Sequence, residues 1–368
     1  MMKSQSLALM TCLLLGLTAP ADSRQGSTPT ADALILITFD GARTEEIFGG
    51  LDRDVLQASI GAKKQVEEQP VYRQFWAATP EARRQKLMPF FWGTLMADYG
   101  SIAGNPRSGS TVTVTNRHRF SYPGYAEILL GEAHDDIIKS NDAIQNPYVT
   151  VLEQLKTRLG LSSSQAAAFA SWEVFNTIVE HTPGALTVNA GFKPFDDPDP
   201  QVRALGRLQT ETPTPWDSAR HDVYTFRFAM AHLQKARPRV LYVAFDETDD
   251  WSHDGRYDRV LQAYARYDTF LQELWTWLQS QPEYRGRTHI LITTDHGRGH
   301  TTAEWRNHGA TVEGAQDVWM AFITPRMAQR GEWRGQAPLH TNQAAATMAA
   351  WMGLDWNALR PDAGRPIR

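Results

Sequence analysis

Residues 287–297 read Arg287-Thr288-His289-Ile290-Leu291-Ile292-Thr293-Thr294-Asp295-His296-Gly297. An apolar run of strand length stops abruptly at Asp-His-Gly. Two other runs stop in a similar way. Ala33-Leu34-Ile35-Leu36-Ile37-Thr38-Phe39 ends in Asp40-Gly41. Val240-Leu241-Tyr242-Val243-Ala244-Phe245 ends in Asp246, with Asp249 and His253 close behind. Carboxylates and imidazoles collected at the ends of buried strands point to a metal site.

Working outward, β-like runs alternate with helical patterns from residue 33 onward. Strands are predicted at 33–39, 111–115, 166–170, 239–245, 288–294 and 316–323. Helices are predicted at 124–131, 147–158, 172–180, 218–235, 256–279 and 341–351. This alternation predicts an α/β fold, a mostly parallel sheet flanked by helices on both faces. In such sheets a site lies beyond the C-terminal strand ends, where the acidic residues fall. Residues 50–110 interrupt the pattern and read as a helical excursion. Thr79-Pro80-Glu81 is a helix start. The cluster Phe90-Phe91-Trp92 either shapes the site mouth or packs the core. Residues 192–217, rich in Pro and Asp, read as an irregular loop.

The chain has 368 residues, 42% hydrophobic and 21% charged, with a formal net charge of −4. That length suits one large α/β domain, expected over 33–368. The charge gives no reason to expect nucleic acid as a partner. At the N-terminus, Lys3, the apolar stretch Leu7 to Leu17, and Ala19-Pro20-Ala21 fit a secretory signal over 1–21. A flexible lead-in over 22–32 follows, so a secreted or periplasmic location is expected. The only cysteine, Cys12, lies in the signal. The mature chain would then have no disulfide and no thiolate ligand. No other run is long and apolar enough for a transmembrane helix.

The chemistry rests on ligand types. Asp249 and His253 stand four apart, so one helical turn puts them on one face. Asp295 and His296 sit at a strand end, and Arg306-Asn307-His308-Gly309 adds another imidazole. With Asp40 these are oxygen and nitrogen donors, suited to zinc or a similar divalent ion. A nucleophile is offered by Phe120-Ser121-Tyr122-Pro123-Gly124-Tyr125. Ser121 precedes a helical segment, where free backbone N–H groups favour an anion. It also fits a plain helix cap.

In order, Asp40, Ser121, Asp249, His253, Asp295, His296 and His308 resemble the alkaline phosphatase superfamily, most closely its nucleotide pyrophosphatase/phosphodiesterase branch. Ser121-Tyr122-Pro123-Gly124-Tyr125 is similar to that branch's nucleophile motif. Glu247-Thr248-Asp249-Asp250-Trp251-Ser252-His253 is similar to its Glu-Pro-Asp-x-x-Gly-His motif. The resemblance implies two divalent metals, zinc first and manganese second. One would be held by Asp249, His253 and His308. The other would be held by Asp40, Asp295 and His296, with Ser121 bridging to a small phosphate ester. Asn141, twenty residues after Ser121, matches an Asn that contacts a phosphate oxygen, with Asn146 nearby as the alternative. Arg43 and Arg119 read as anion binders or as surface arginines, and Trp172 as a pocket wall or core residue. The implied activity is a phosphodiesterase or phosphatase with a phosphoseryl intermediate.

Rival readings fit less of the sequence. A sulfatase of the superfamily needs a modified Cys or Ser followed by Pro and Arg, whereas Ser121 is followed by Tyr-Pro-Gly-Tyr. A phosphonate-type hydrolase of the same superfamily stays open. A glycosidase acid/base pair would leave the histidines without a role. A non-catalytic secreted protein retaining the fold would be expected to have lost a ligand.

Overall fold

The computed structural model describes Met1 and residues 32–195, 197–325 and 329–367. The expected signal peptide, apart from Met1, and all but the last residue of the lead-in lie outside the described residues.

Eleven strands are described. They are β1 Ala33–Phe39, β2 Gly100–Ala103, β3 Val112–Thr113, β4 Ala166–Ala170, β5 Thr187–Ala190, β6 Val240–Phe245, β7 Thr288–Thr293, β8 Asp317–Val318, β9 Met320–Ile323, β10 Gly331–Glu332 and β11 Leu339–His340. Eight of them form the main sheet in the order β10-β2-β9-β7-β1-β6-β4-β5. Only β9 runs against its neighbours β2 and β7; the other pairings in this sheet are parallel. The fold is therefore the expected mostly parallel α/β sheet.

Both faces of β1 are buried because its side chains alternate. Ala33, Ile35, Ile37 and Phe39 enter one core with helices Asp222–Ala236 and Tyr257–Ser280. Leu34 and Leu36 enter a second core with helices Ser121–Leu130 and Ala344–Trp351. β6 divides in the same way, with Leu241, Val243 and Phe245 on one side and Val240, Tyr242 and Ala244 on the other. Burying both faces of the central strands fixes their register, since a slip of one residue would exchange the two cores.

Several expectations are corrected. The run 316–323 is two strands in two sheets. It breaks at Trp319, which is fully buried and donates its indole N–H to the Ala42 carbonyl at 3.0 Å. The run 111–115 contributes only β3, in a three-stranded sheet ordered β11-β3-β8. The stretch 192–217 contains helix Pro200–Glu211, started by the Asp199 cap and Pro at the first position. The helix expected at 147 begins at Val151, because Thr150 and Glu153 form a capping box. Residues 50–110 carry helices Arg53–Ile60, Pro70–Phe75, Pro80–Leu87 and the wider-wound Phe91–Tyr99. Phe91 and Trp92 are buried, and Trp92 donates to the Ile47 carbonyl. No described helix is long and apolar enough to cross a membrane.

Candidate metal centre

The strands β7, β1 and β6 are neighbours in the sheet, so the residues after them meet. Side chains stitch the three ends together. The Gly41 N–H donates to Asp295 Oδ1 at 3.1 Å, and the Ala42 N–H to Thr294 Oγ1 at 3.1 Å. Thr248 Oγ1 donates to the Asp40 carbonyl at 2.6 Å.

Two groups of donor atoms result. Asp40, Asp295 and His296 form one, and Asp249, His253 and His308 the other, with the atoms of each within 4.8 Å of one another. These are the sets the resemblance implied. In the first named group His296 Nε2 lies 3.5 Å from Asp40 Oδ1 and 3.4 Å from Asp295 Oδ2. All three residues are buried. Each has one polar atom already satisfied. Asp40 Oδ2 accepts from Tyr125 Oη at 2.8 Å, Asp295 Oδ1 accepts from Gly41, and His296 Nδ1 faces the Gly297 carbonyl at 2.9 Å. The remaining atoms, Asp40 Oδ1, Asp295 Oδ2 and His296 Nε2, are buried without a hydrogen-bond partner and face one another. Orphaned buried polar atoms are rare, and a cation is the partner that suits two carboxylate oxygens and one imidazole nitrogen together.

The other group stands on helix Glu247–His253, where Asp249 and His253 share a face. Asp222 starts that helix from a distance, accepting from the backbone N–H groups of Asp246 at 2.9 Å and Glu247 at 3.0 Å. His253 Nε2 is 3.1 Å from Asp249 Oδ2 and 3.0 Å from His308 Nε2. Two imidazole nitrogens and a carboxylate oxygen thus come together, with His253 exposed, His308 half-buried and Asp249 buried. The His308 ring stacks on His296 with centroids 4.0 Å apart, joining the groups. Arg306 ties the His308 loop to the His253 carbonyl.

The electrostatics suit cations. Burial, then the neighbouring Asp295, push Asp40 well above the usual carboxylate range, and burial raises Asp295 as well. Burial lowers His296, His253 and His308, keeping the imidazoles neutral as metal ligands require. A divalent cation would reverse the carboxylate shifts by favouring the charged forms.

Ser121 is the first residue of helix Ser121–Leu130 and is buried; Phe120 holds the cap position. The helix thus begins earlier than the expected 124, and Ser121 is not a side-chain cap. The anion-binding terminus expected there is largely used up. The Tyr122 N–H donates to Asn141 Oδ1 at 2.9 Å, and Pro123 has no N–H. Asn141 therefore sits beside the serine with its amide nitrogen left as a donor. Asn146 is buried and donates instead to the Ile178 carbonyl at 2.8 Å. Gly124 lets the helix come this close, because a Cβ there would stand 2.3 Å from the Asp295 carbonyl oxygen.

Arg43 is neither on the surface nor in the site. It is buried, paired with Glu46, and donates to the Gly299 carbonyl. Arg119 has a positive φ of 55° and reaches the Ala310 carbonyl at 3.4 Å. Trp172 is half-buried against Phe175. Sequence reading missed Tyr125, Asp222 and Arg298. Tyr125 was visible in principle, since it stands four after Ser121 and so on the same helix face.

The sequence matches the family model of the type I phosphodiesterase / nucleotide pyrophosphatase family over residues 74–352, a stretch that holds every candidate ligand except Asp40. The curated proteins contain no match. Among solved structures, alkaline phosphatase PafA is 10% identical with a TM-score of 0.58, covering 92% of this chain and 98% of that one. Ps i-CgsB, crystallised with k-i-k-neocarrahexaose, is 15% identical with a TM-score of 0.53, covering 91% of this chain and 75% of that one. The lipoteichoic acid synthase LtaP from Listeria monocytogenes is 10% identical with a TM-score of 0.52, covering 88% and 72%. At these identities the structures speak for the fold alone. The family match spans well over half of the chain, and the protein is accordingly a hydrolase of the alkaline phosphatase superfamily that belongs to the type I phosphodiesterase / nucleotide pyrophosphatase family.

Proposed function

We propose that the protein hydrolyses small phosphoric esters, diesters ahead of monoesters, through a covalent intermediate on Ser121. The observation that carries this reading is the set of three buried, unpartnered atoms on Asp40, Asp295 and His296, one helical turn from the serine through Tyr125. In this reading Asp40, Asp295 and His296 hold one divalent cation, and Asp249, His253 and His308 a second. Zinc is the first choice and manganese the alternative. When bound, the cations supply the positive charge that makes the serine nucleophilic and offsets charge on the leaving oxygen.

The residues do the rest. Ser121 Oγ attacks phosphorus, and the bond to the leaving oxygen breaks. Water then cleaves the phosphoserine. The Asn141 amide nitrogen donates to a non-bridging phosphate oxygen while its Oδ1 stays fixed on the Tyr122 N–H. The rigid helix start holds Ser121 in line. Phosphate is favoured over sulfate because Ser121 is followed by Tyr-Pro-Gly-Tyr and not by the Pro and Arg pattern of a sulfatase. The N-terminal segment supports export from the cytoplasm.

The test uses purified full chain with added zinc or manganese. Bis-p-nitrophenyl phosphate is expected to turn over faster than p-nitrophenyl phosphate, and p-nitrophenyl sulfate slowest. No turnover of either phosphate ester would overturn the enzyme reading. Ser121→Ala should abolish turnover with metal content unchanged, and retained turnover would remove Ser121 from its role.

A further inference from the structure

One buried charge inside the centre has no part in the mechanism above. Arg298 is 1% exposed. Its Nη1 donates to the Arg306 carbonyl at 2.5 Å and its Nη2 to the Asp249 carbonyl at 3.3 Å. The same Nη2 donates to Asp249 Oδ1, the only carboxylate among its hydrogen-bond partners in the described residues. The guanidinium lies against Gly41, where a Cβ would stand 2.8 Å from its Nε. Two backbone carbonyls and a glycine thus form a fitted slot for it.

The arginine's charge reaches both donor groups, Asp40 included, but its hydrogen bond falls on Asp249 alone. Asp40, Asp295 and His296 offer atoms with no partner. Asp249 offers Oδ2, 3.1 Å from His253 Nε2, while Oδ1 is taken by Arg298. Asp249 Oδ1 also lies only 3.7 Å from His296 Nε2 and 3.9 Å from His308 Nε2, so the arginine's charge stands at the edge of the ligand set. A cation beside a ligand acts opposite to the carboxylates that usually back metal-bound histidines. It withdraws electron density from the carboxylate and repels the incoming ion.

We propose that Arg298 is a resident cation that competes for Asp249, making the ion held by Asp249, His253 and His308 the weakly held, exchangeable one of the two. The ion at Asp40, Asp295 and His296 is the tight one. This rests on reading both groups as cation sites.

The experiment is a zinc titration of the chelator-stripped full chain against a chromophoric zinc indicator. The wild type is expected to bind in two resolved steps. His308→Ala should remove the weaker step and Asp295→Asn the tighter one; the reverse assignment overturns the proposal. Arg298→Gln should tighten the weaker step by on the order of tenfold and leave the tighter one in place. Arg298→Lys, which keeps the charge, should preserve the two steps. If Arg298→Gln weakens or does not change the weaker step, the arginine orients Asp249 or is inert, and the proposal fails while the two-cation reading stands. If the wild type binds no zinc, both fall. Should Arg298→Gln not fold, Arg298→Met takes its place, with the same tightening expected and the same unchanged or weakened step overturning the proposal.

Discussion

Tyr125 donates its phenolic O–H to Asp40 Oδ2 at 2.8 Å, and it stands one helical turn after Ser121. This single bond connects the helix of the serine to the strand end that supplies a cation ligand. It also leaves Asp40 Oδ1 turned toward Asp295 and His296. Tyr125→Phe removes the bond and keeps the ring's contact with Phe175. Zinc affinity at the tight site should fall about tenfold. Calorimetric titration checks this, and turnover should become more dependent on added metal.

Gly124→Ala reverses the usual rule for helices. Alanine in a helix interior is ordinarily favoured over glycine by about 1 kcal/mol. Here the added methyl would stand 2.3 Å from the Asp295 carbonyl oxygen. The helix must retreat from the strand end, so the variant should be destabilised by about 1–3 kcal/mol and lose most of its activity. Thermal unfolding with an assay of turnover tests both.

Chelation should lower the unfolding temperature, and zinc should restore it. An ion at a hundredfold excess over its Kd stabilises the fold by about 2.7 kcal/mol per site. Zinc binding should also release protons. Asp40 is raised well above the ordinary range by burial and by Asp295, so the metal-free centre retains protons that the cation must displace. Affinity therefore climbs with pH. Titration in two buffers of different ionisation heat measures the protons released.

His300 gives a separate pH signature. It bridges Asp317 Oδ2 at 3.0 Å and Glu45 Oε1 at 2.5 Å, holding the loop after His296 to helix Thr44–Gly49 and to β8. The hydrogen bonds to Asp317 and then Glu45 raise it from 6.5 to about 10. The folded state therefore holds a proton that the unfolded chain loses above 6.5. The stabilisation is fully present below pH 6.5, declines between 6.5 and 10, and is gone above it. His300→Gln should be less stable than wild type at pH 6, with the gap closing by about pH 10. Urea unfolding at several pH values follows the gap.

The central sheet was legible because β1, β6 and β7 are buried on both faces, and their interiors, Ala33–Ile37, Val240–Phe245 and Ile290–Ile292, read as apolar runs. The same three strands carry the acidic ends, which is why the ligand set was visible before the fold. Short elements left no such trace. β10 and β11 have two residues each, too few for a periodic signal. Trp319 interrupts the run 316–323 by a tertiary bond to Ala42 that no local pattern encodes. Arg298 was missed for a similar reason. A Gly-Arg-Gly stretch reads as a solvated loop, and only the folded chain reveals Asp249 as its partner. The anion-binding helix start was overread, because Asn141 takes the Tyr122 N–H from another loop.

The order β7-β1-β6 has one more consequence. Adjacent strands in any sheet stand about 4.8 Å apart. The ladder itself therefore spaces Asp295 from Asp40 within one ligand set, and Asp40 from the start of helix Glu247–His253 in the other, and so acts as a gauge for the centre. Of the six donor residues, His308 alone stands on a long loop away from a strand end or helix, so the loops that carry no donor can change without altering that spacing. Reshaping what the enzyme accepts and preserving how it reacts are thereby separate tasks, carried by different parts of the chain.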